Sequence, residues 1–295
     1  MTKILITGGT GLIGKHLQQK LINQNYNVVI LTRNPKEKNH YKWDIDNNYI
    51  DDNAFKNVTH IIHLAGAGIA DNRWTSNRKK VLIDSRVKSI NLLFQKVKEL
   101  NIPLQGFISA SGIGYYGAIT SDYIFTENDN PENDFISKVC IEWENATNQF
   151  KQIKIPTTIF RTGVVLTKNG GALQKINTPL FLSALGNGKQ YIPWIHIDDL
   201  CNLYLNTIKN NDFTGIYNAV APEHQTNENF TKTLGSIIKK TVLPINAPSI
   251  ILKIALGEMS KILLYGSRVS SKKTTQFYTF THPNLSSALN NIYNG

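Results

Sequence analysis

Only two cysteines, Cys140 and Cys201, occur in 295 residues, and both fall inside apolar helical patterns. That excludes a disulfide framework and a thiolate metal centre, and fits reduced, buried thiols. No other ligand cluster stands at metal-binding spacing, so no metal is expected. No apolar run approaches the length of a membrane span, and no membrane partner is expected. The chain enters its first strand pattern at Lys3, which leaves no room for a signal peptide; a soluble, cytoplasmic protein is the expectation. Repeats and low-complexity linkers are also missing. Positive charge is in excess, 32 Lys and Arg against 21 Asp and Glu, for a net +11. It is dispersed, however, and its densest clusters, Arg78-Lys79-Lys80 and Arg268 to Lys273, lack the interleaved aromatics of a single-strand groove. Nucleic acid is therefore not the expected partner. An anionic small molecule and a solvated surface account for the charge more simply.

What is present is a globular composition, 41% hydrophobic and 18% charged, at a length near the upper limit for one core. The chain is organised around Thr7-Gly8-Gly9-Thr10-Gly11-Leu12-Ile13-Gly14. Lys3-Ile4-Leu5-Ile6 precedes it as a short apolar strand, and Leu12, Ile13, Leu17, Leu21 and Ile22 recur after it at helical spacing. Strand, glycine turn and helix N-terminus in that order form a phosphate cradle. Its glycines allow close backbone approach, and its free N–H groups and helix dipole favour negative charge. Gly9, Gly11 and Gly14 fit G-x-G-x-x-G; Gly8, Gly11 and Gly14 fit the G-x-x-G-x-x-G variant. The flanking strand and helix are the context that the motif needs. Gly8, Thr10, Gly11, Leu12, Ile13 and Gly14 are the candidate cradle residues.

A second strand, Asn27 to Leu31, ends at Thr32-Arg33 with no carboxylate. A carboxylate there would bind the ribose 2′-hydroxyl of NAD; an Arg beside a hydroxyl suits a 2′-phosphate. NADP(H) is the expected cofactor. Tyr41 to Asp44 reads as a third strand, with Asp44 either capping the adenine edge or starting a turn. His60 to His63 is a fourth, and Leu64, Ala65 and Gly66 at its end are small enough to line ribose and pyrophosphate. By strand alternation His60 and His63 face opposite sides, and both read as structural. A long amphipathic helix over Asn77 to Leu100 carries Ile83, Val87, Ile90, Phe94 and Val97 on one stripe. Arg86 lies off that stripe, free either to reach the phosphates or to sit on the surface. The fifth strand, Gly106 to Ser109, opens into Ala110-Ser111-Gly112, where open α/β sheets hold substrate. Ser111 is the hydrogen-bonding candidate. A helix over Phe135 to Phe150 and a strand over Thr157 to Arg161 complete the alternation, which specifies a doubly wound parallel sheet. Beyond it, glycine-rich loops precede a helix whose expected N-cap is Asp198, then helical stretches over Asn227 to Lys240 and Pro248 to Leu264. The expected division is a Rossmann domain over 1–170 and a substrate-side lobe over 171–295, with a small helical domain from about 248.

Several motifs taken together are those of a known family. Thr7-Gly8-x-x-Gly11-x-x-Gly14, Leu64-Ala65-Gly66, Ser109-Ala110-Ser111 with Tyr116-Gly117, and Ile195 to Asp199 resemble the extended short-chain dehydrogenase/reductase superfamily. More narrowly, the chain resembles its atypical, NAD-dependent epimerase/dehydratase-like branch. That likeness rests on Ala65 to Gly68 with Arg73-Trp74 and Ser85-Arg86, on Tyr115-Tyr116-Gly117, Trp143-Glu144, Gly163 to Leu166 and Pro193 to His196, and on Ile254 to Met259. It covers essentially the whole chain. The resemblance implies a Rossmann fold binding NADP(H), with Thr32 and Arg33 at the 2′-phosphate. It also implies Leu64, Ala65 and Arg86 along the cofactor and Val165 near the nicotinamide.

The superfamily's catalytic Tyr-x-x-x-Lys is where this sequence departs from the pattern. The corresponding stretch is Asp134-Phe135-Ile136-Ser137-Lys138. Lys138 is present, but Asp134 holds the tyrosine position, ionised at neutral pH and too short to replace a phenol. It reads first as a helix N-cap. Tyr115 or Tyr116 from the neighbouring loop could supply a substitute acid. The expected function is an NADP(H)-dependent oxidoreductase or epimerase-like enzyme acting on a small polar or carbonyl substrate. Ser111 would orient that substrate, and Tyr116 or Lys138 would assist proton transfer. The alternative is an NADPH-binding sensor or partner-binding module without turnover.

Overall fold

The computed structural model describes residues 2–210 and 212–295. The first half alternates strands β1 (Lys3–Thr7), β2 (Asn27–Thr32), β3 (His40–Asp44), β4 (Tyr49–Ile50), β5 (His60–His63) and β6 (Gly106–Gly112) with helices α1 (Leu12–Asn23) and α2 (Ser76–Glu99). A two-residue strand β7 (Ile124–Phe125), helix α3 (Phe135–Gln152), strand β8 (Thr157–Thr162) and strand β9 (Val164–Leu166) follow. Then come α4 (Gly171–Ile176), β10 (Trp194–His196), α5 (Ile197–Lys209) and β11 (Gly215–Ala219). The chain finishes with α6 (Asn227–Ile237), α7 (Ser249–Leu256), α8 (Lys261–Leu264), β12 (Arg268–Val269) and α9 (Leu285–Asn294). Among the described residues no helix is long and apolar enough to cross a membrane.

The main sheet has the order β11-β8-β6-β5-β1-β2-β3-β4, parallel throughout except for the terminal β3–β4 pair. Its central strands are apolar on both faces, as a sheet covered on both sides requires. Ile4, Ile6, Val28, Ile30, Ile62 and Ile108 face α1 and α5, packing against Leu17, Leu21, Leu200 and Tyr204. The alternate residues Leu5, Val29, Ile61 and Phe107 face α2 and α3, against Ile90, Leu93, Trp143 and Phe150. This is the doubly wound architecture read from the sequence. Its edge strand β11 comes from beyond residue 170, so the sheet draws on the segment assigned to the second lobe. A third cluster, built on Leu166, Trp194, Phe230, Leu234 and Leu289, joins β9, β10, α6 and α9 into that lobe.

Three local expectations need correction. Arg86 does not lie off the packed side of its helix: Leu82, Arg86, Ser89, Ile90 and Leu93 form the buried face of α2. Helix α5 is capped by His196, whose side chain accepts the Asp198 N–H, and Asp198 sits inside the first turn. The stretch over Pro248 to Leu264 breaks at Gly257, whose φ of +60° ends α7.

Candidate functional site

From β1 the chain winds outward through β2 and β3, then returns to the other side of β1 as β5. The carboxyl ends of β1 and β5 therefore flank the point where strand order reverses, which is where such sheets open a crevice. Both glycine-rich turns end there. Gly8 has φ +69°, and a Cβ on it would stand 2.8 Å from the Leu64 carbonyl carbon. A Cβ on Gly14 would run into the Gly8 carbonyl oxygen. The turn is thus folded so tightly that the two loops touch backbone to backbone. Gly11 caps α1 without a side chain; its own N–H donates to the Gly8 carbonyl at 3.0 Å, and its carbonyl accepts the Lys15 N–H at 2.9 Å. The N–H groups of Leu12, Ile13 and Gly14 face the crevice end of the helix with no side-chain cap, a preformed site for an anion. Thr10 is exposed beside them.

At the end of β2, Arg33 is exposed and makes no ion pair among the described residues, while the Thr32 hydroxyl accepts the Asn34 N–H. Gly66 lies against Arg86, whose guanidinium carbon would be 3.0 Å from a Cβ there. Arg86 donates to the Leu82 carbonyl and stacks over the Trp143 ring at 4.6 Å, but its Nε has no partner. Burial lowers its pKa to about 10, so it stays charged at neutral pH beneath Leu64-Ala65-Gly66. Beside it, His63 bridges Thr7 on β1 (2.8 Å) and Ser89 on α2 (3.3 Å). Burial and the Arg86 charge push its pKa down to about 3, so this imidazole is a neutral strut, as its structural reading expected.

The substrate end is built differently from the sequence expectation. Ser111 is buried and donates to Glu144 Oε1 at 2.8 Å. Glu144 in turn holds Arg161 by two 2.8 Å bonds, to Nε and Nη2. The third arm of Arg161 donates to the Tyr116 hydroxyl at 3.1 Å, and that hydroxyl donates to Asn218 Oδ1 at 2.7 Å. Tyr116 is 2% exposed, and burial pushes its pKa up to about 12. Its hydroxyl is committed to the interior on both sides. Tyr115, half-buried, lays its ring 3.3 Å from the Arg161 guanidinium and has no hydrogen-bond partner for its hydroxyl among the described residues. Lys138 is on the exposed side of α3. The residues of α3 that meet the Gly112–Gly114 turn are Ile136, Ser137 and Cys140, with the Ser137 hydroxyl donating to the Gly114 carbonyl at 3.1 Å and Cys140 Sγ 3.7 Å from a Cβ built on Gly112. Asp134 caps the helix with one oxygen, to the Ser137 N–H, and holds the Ala118 N–H with the other. So the four-residue spacing that faces the strand end is Ile136–Cys140, two positions on from Asp134–Lys138. Val165, half-buried on β9, lies beside Ile195 of β10. Glu144 and Arg161 are the site residues that the sequence reading missed. Their signal was a lone charge in an apolar helix stripe and another at the end of a buried strand.

A profile of the NAD dependent epimerase/dehydratase family matches residues 4–220. The chain belongs to this family. A second profile, a domain of unknown function, matches residues 247–292 of this epimerase-family chain. An epimerase family protein of Staphylococcus epidermidis is 33% identical over 299 residues, covering 99% of both chains. Another from Mycobacterium bovis is 31% identical over 293 residues, 97% of this chain and 96% of that one. Among solved structures, a human epimerase family protein crystallised with NADPH superposes with a TM-score of 0.88 at 28% identity over the whole of both chains. A nucleoside-diphosphate sugar epimerase from Corynebacterium glutamicum gives 0.79 at 26% identity, covering 99% of this chain and 58% of that one. The residues present fit a nicotinamide dinucleotide: uncapped donors stand at α1, and no side chain fills the turn between Gly8 and Leu64.

The epimerase-family chain also carries a cluster around the first turn of α5. Asp198 accepts from His16 Nε2 (2.8 Å) and Lys20 (2.7 Å) on α1. Asp199, fully buried, receives the Tyr278 hydroxyl at 2.6 Å and the backbone N–H groups of Thr281 and His282. His196, Asp198 and His282 bring possible metal-ligand atoms within 4.8 Å of one another. The hydrogen bonding of His196 argues for a cap instead. Because His196 Nδ1 accepts the Asp198 N–H at 3.1 Å, its proton resides on Nε2, which then has no lone pair for a metal.

Proposed function

We propose that this protein is an NADP(H)-dependent oxidoreductase of the epimerase family, acting on a small polar or carbonyl substrate at the carboxyl edge of the sheet. The observation that carries the cofactor is the uncapped N-terminus of α1, wedged between the ends of β1 and β5 with Arg33 at the neighbouring strand end. Leu12, Ile13 and Gly14 would donate to the pyrophosphate, Thr32 and Arg33 would hold the 2′-phosphate, and Arg86 would add positive charge beneath Gly66. Val165 would pack at the nicotinamide end. Bound there, the cofactor supplies hydride transfer to or from a carbonyl carbon. The chain's own part is then to orient the carbonyl and to move a proton. Tyr115 is the phenol we assign to that proton, since its hydroxyl is uncommitted while that of Tyr116 is tied to Arg161 and Asn218. Ser111, bonded to Glu144, positions the floor beneath the substrate. Support for the reading comes also from the human family member solved with NADPH.

A second reading, binding without turnover, is favoured by Ile136 and Cys140. This pair puts a methyl-rich side chain and a thiol, pushed up to about 12 by burial, on the face of α3 that meets the strand end. NADPH oxidation measured across a panel of small ketones, aldehydes and nucleotide sugars separates the two. The first reading expects turnover on some member of the panel, sharply reduced by Tyr115→Phe. Tight NADPH binding with no turnover on any of them would leave the second.

A further inference from the structure

Two stretches that the sequence resemblance singled out, Arg73-Trp74 and Leu256-Gly257-Glu258, lie some 180 residues apart. They meet across one cavity of about 330 Å³, which Thr75 also lines. We propose that this cavity binds the anionic group, a carboxylate or a phosphate, of a small organic substrate. This rests on the reading of the neighbouring crevice as an NADP(H)-dependent site.

Arg73 carries the argument. Its side chain makes no ion pair and no hydrogen bond among the described residues, although it borders a structured wall. Its Nη2 and Nε stand 3.2 and 3.6 Å from where a Cβ on Gly257 would be, so the glycine leaves the guanidinium its place. Glu258, the carboxylate in the lining, is already held by Lys79 at 2.5 Å and does not reach Arg73 as a partner. Arg78 spends its charge on Asp71 and the Gly68 carbonyl. A planar fork is therefore left over at the mouth of a cavity, and bidentate oxyanions match it. Besides Thr75 and the paired Glu258, the wall is Trp74 and Leu256: Trp74 is held by a bond from its indole N–H to the Ile69 carbonyl and packs with Leu256, Met259, Phe135 and Ile136. Ile136 is the same side chain that meets Gly114 at the strand end. One packed apolar cluster thus lies between the cavity wall and the Gly114 turn at the strand end.

The test uses the full-length protein, without cofactor and saturated with NADPH, titrated calorimetrically with inorganic phosphate and with 2-oxobutanoate. At least one should bind, and which one distinguishes phosphate from carboxylate recognition. Arg73→Gln should weaken that binding about 10-fold or more, while Arg73→Lys, which keeps the charge but not the fork, should retain an intermediate affinity. NADPH affinity should be unchanged in both variants. Binding of neither anion, or equal anion affinity in wild type and Arg73→Gln, would overturn the assignment. Failure of NADPH to bind at all would instead sink the cofactor reading, because the anion titrations on cofactor-free protein stand separately.

Discussion

Glu144 and Arg161 form a bidentate ion pair inside the protein, 4% and 2% exposed, joining helix α3 to strand β8 beneath the substrate end of the crevice. Removing one partner strands a charge that water cannot reach. Arg161→Met should therefore destabilise the fold by about 3–5 kcal/mol, measured by urea denaturation. A loss below about 1 kcal/mol would show that the pair is solvated in solution.

The Tyr116 hydroxyl joins this network, accepting from Arg161 and donating to Asn218. Tyr116→Phe leaves Asn218 Oδ1 without its donor and should cost about 1–3 kcal/mol of stability. If Tyr115 is the proton donor, Tyr115→Phe should depress turnover far more while leaving the denaturation midpoint nearly unchanged. The reverse pattern would return the acid to Tyr116.

Arg33 is exposed at the end of β2 with no acid partner. Arg33→Ala should weaken NADPH by about 10-fold or more, from the loss of charge-assisted bonds worth roughly 1.5–3 kcal/mol, and should barely alter NADH. Titration of both cofactors by fluorescence decides it. Equal losses would remove the 2′-phosphate assignment.

Two buried histidines set the acid limb of stability. Burial holds His196 down at about 4, and burial with the Arg86 charge holds His63 at about 3, against an unfolded value near 6.5. Below pH 6.5 the unfolded chain takes up protons that the folded chain refuses, so stability falls on acidification until the folded pKa is reached. Protonation of His196 must occur at Nδ1, which would expel the Asp198 N–H from the α5 cap. His196→Asn keeps a capping oxygen without the titration. Between pH 7 and 4.5 the wild type should lose about 2–3 kcal/mol more than this variant. Parallel pH profiles would count against the assignment.

The sheet and its glycine turn were legible because their signals are local. A continuous apolar strand, a glycine at each tight approach and a helix directly after the turn all sit within residues 3–23. The register of α3 was not legible in the same way. A four-residue spacing such as Asp134–Lys138 says that two side chains share a helix face, but not which face meets the sheet. Packing settles that, and Ile136, Cys140 and Glu144 turn inward. Arg86 was misplaced for the same reason, since α2 is rotated so that Leu82, Ser89 and Leu93 bury and Arg86 goes with them. Asp198 looked like a cap because it precedes an apolar stripe. The helix starts two residues earlier, capped by His196 where β10 ends. The Glu144–Arg161 pair links residues 17 apart across two elements, a relation that no local pattern encodes.

Asp198 and Asp199 are neighbours in sequence but hold opposite parts of the molecule. One grips the helix that would carry the pyrophosphate; the other grips the segment from Tyr278 to His282 that leads into the last helix. Displacing this corner would break five polar contacts at once. On the far side, Lys79 and Glu258 pair beside the apolar contacts of Trp74 with Leu256 and Met259. Two successive carboxylates of one helical turn thus tie the dinucleotide-side helix and the C-terminal segment to the same point of the sheet.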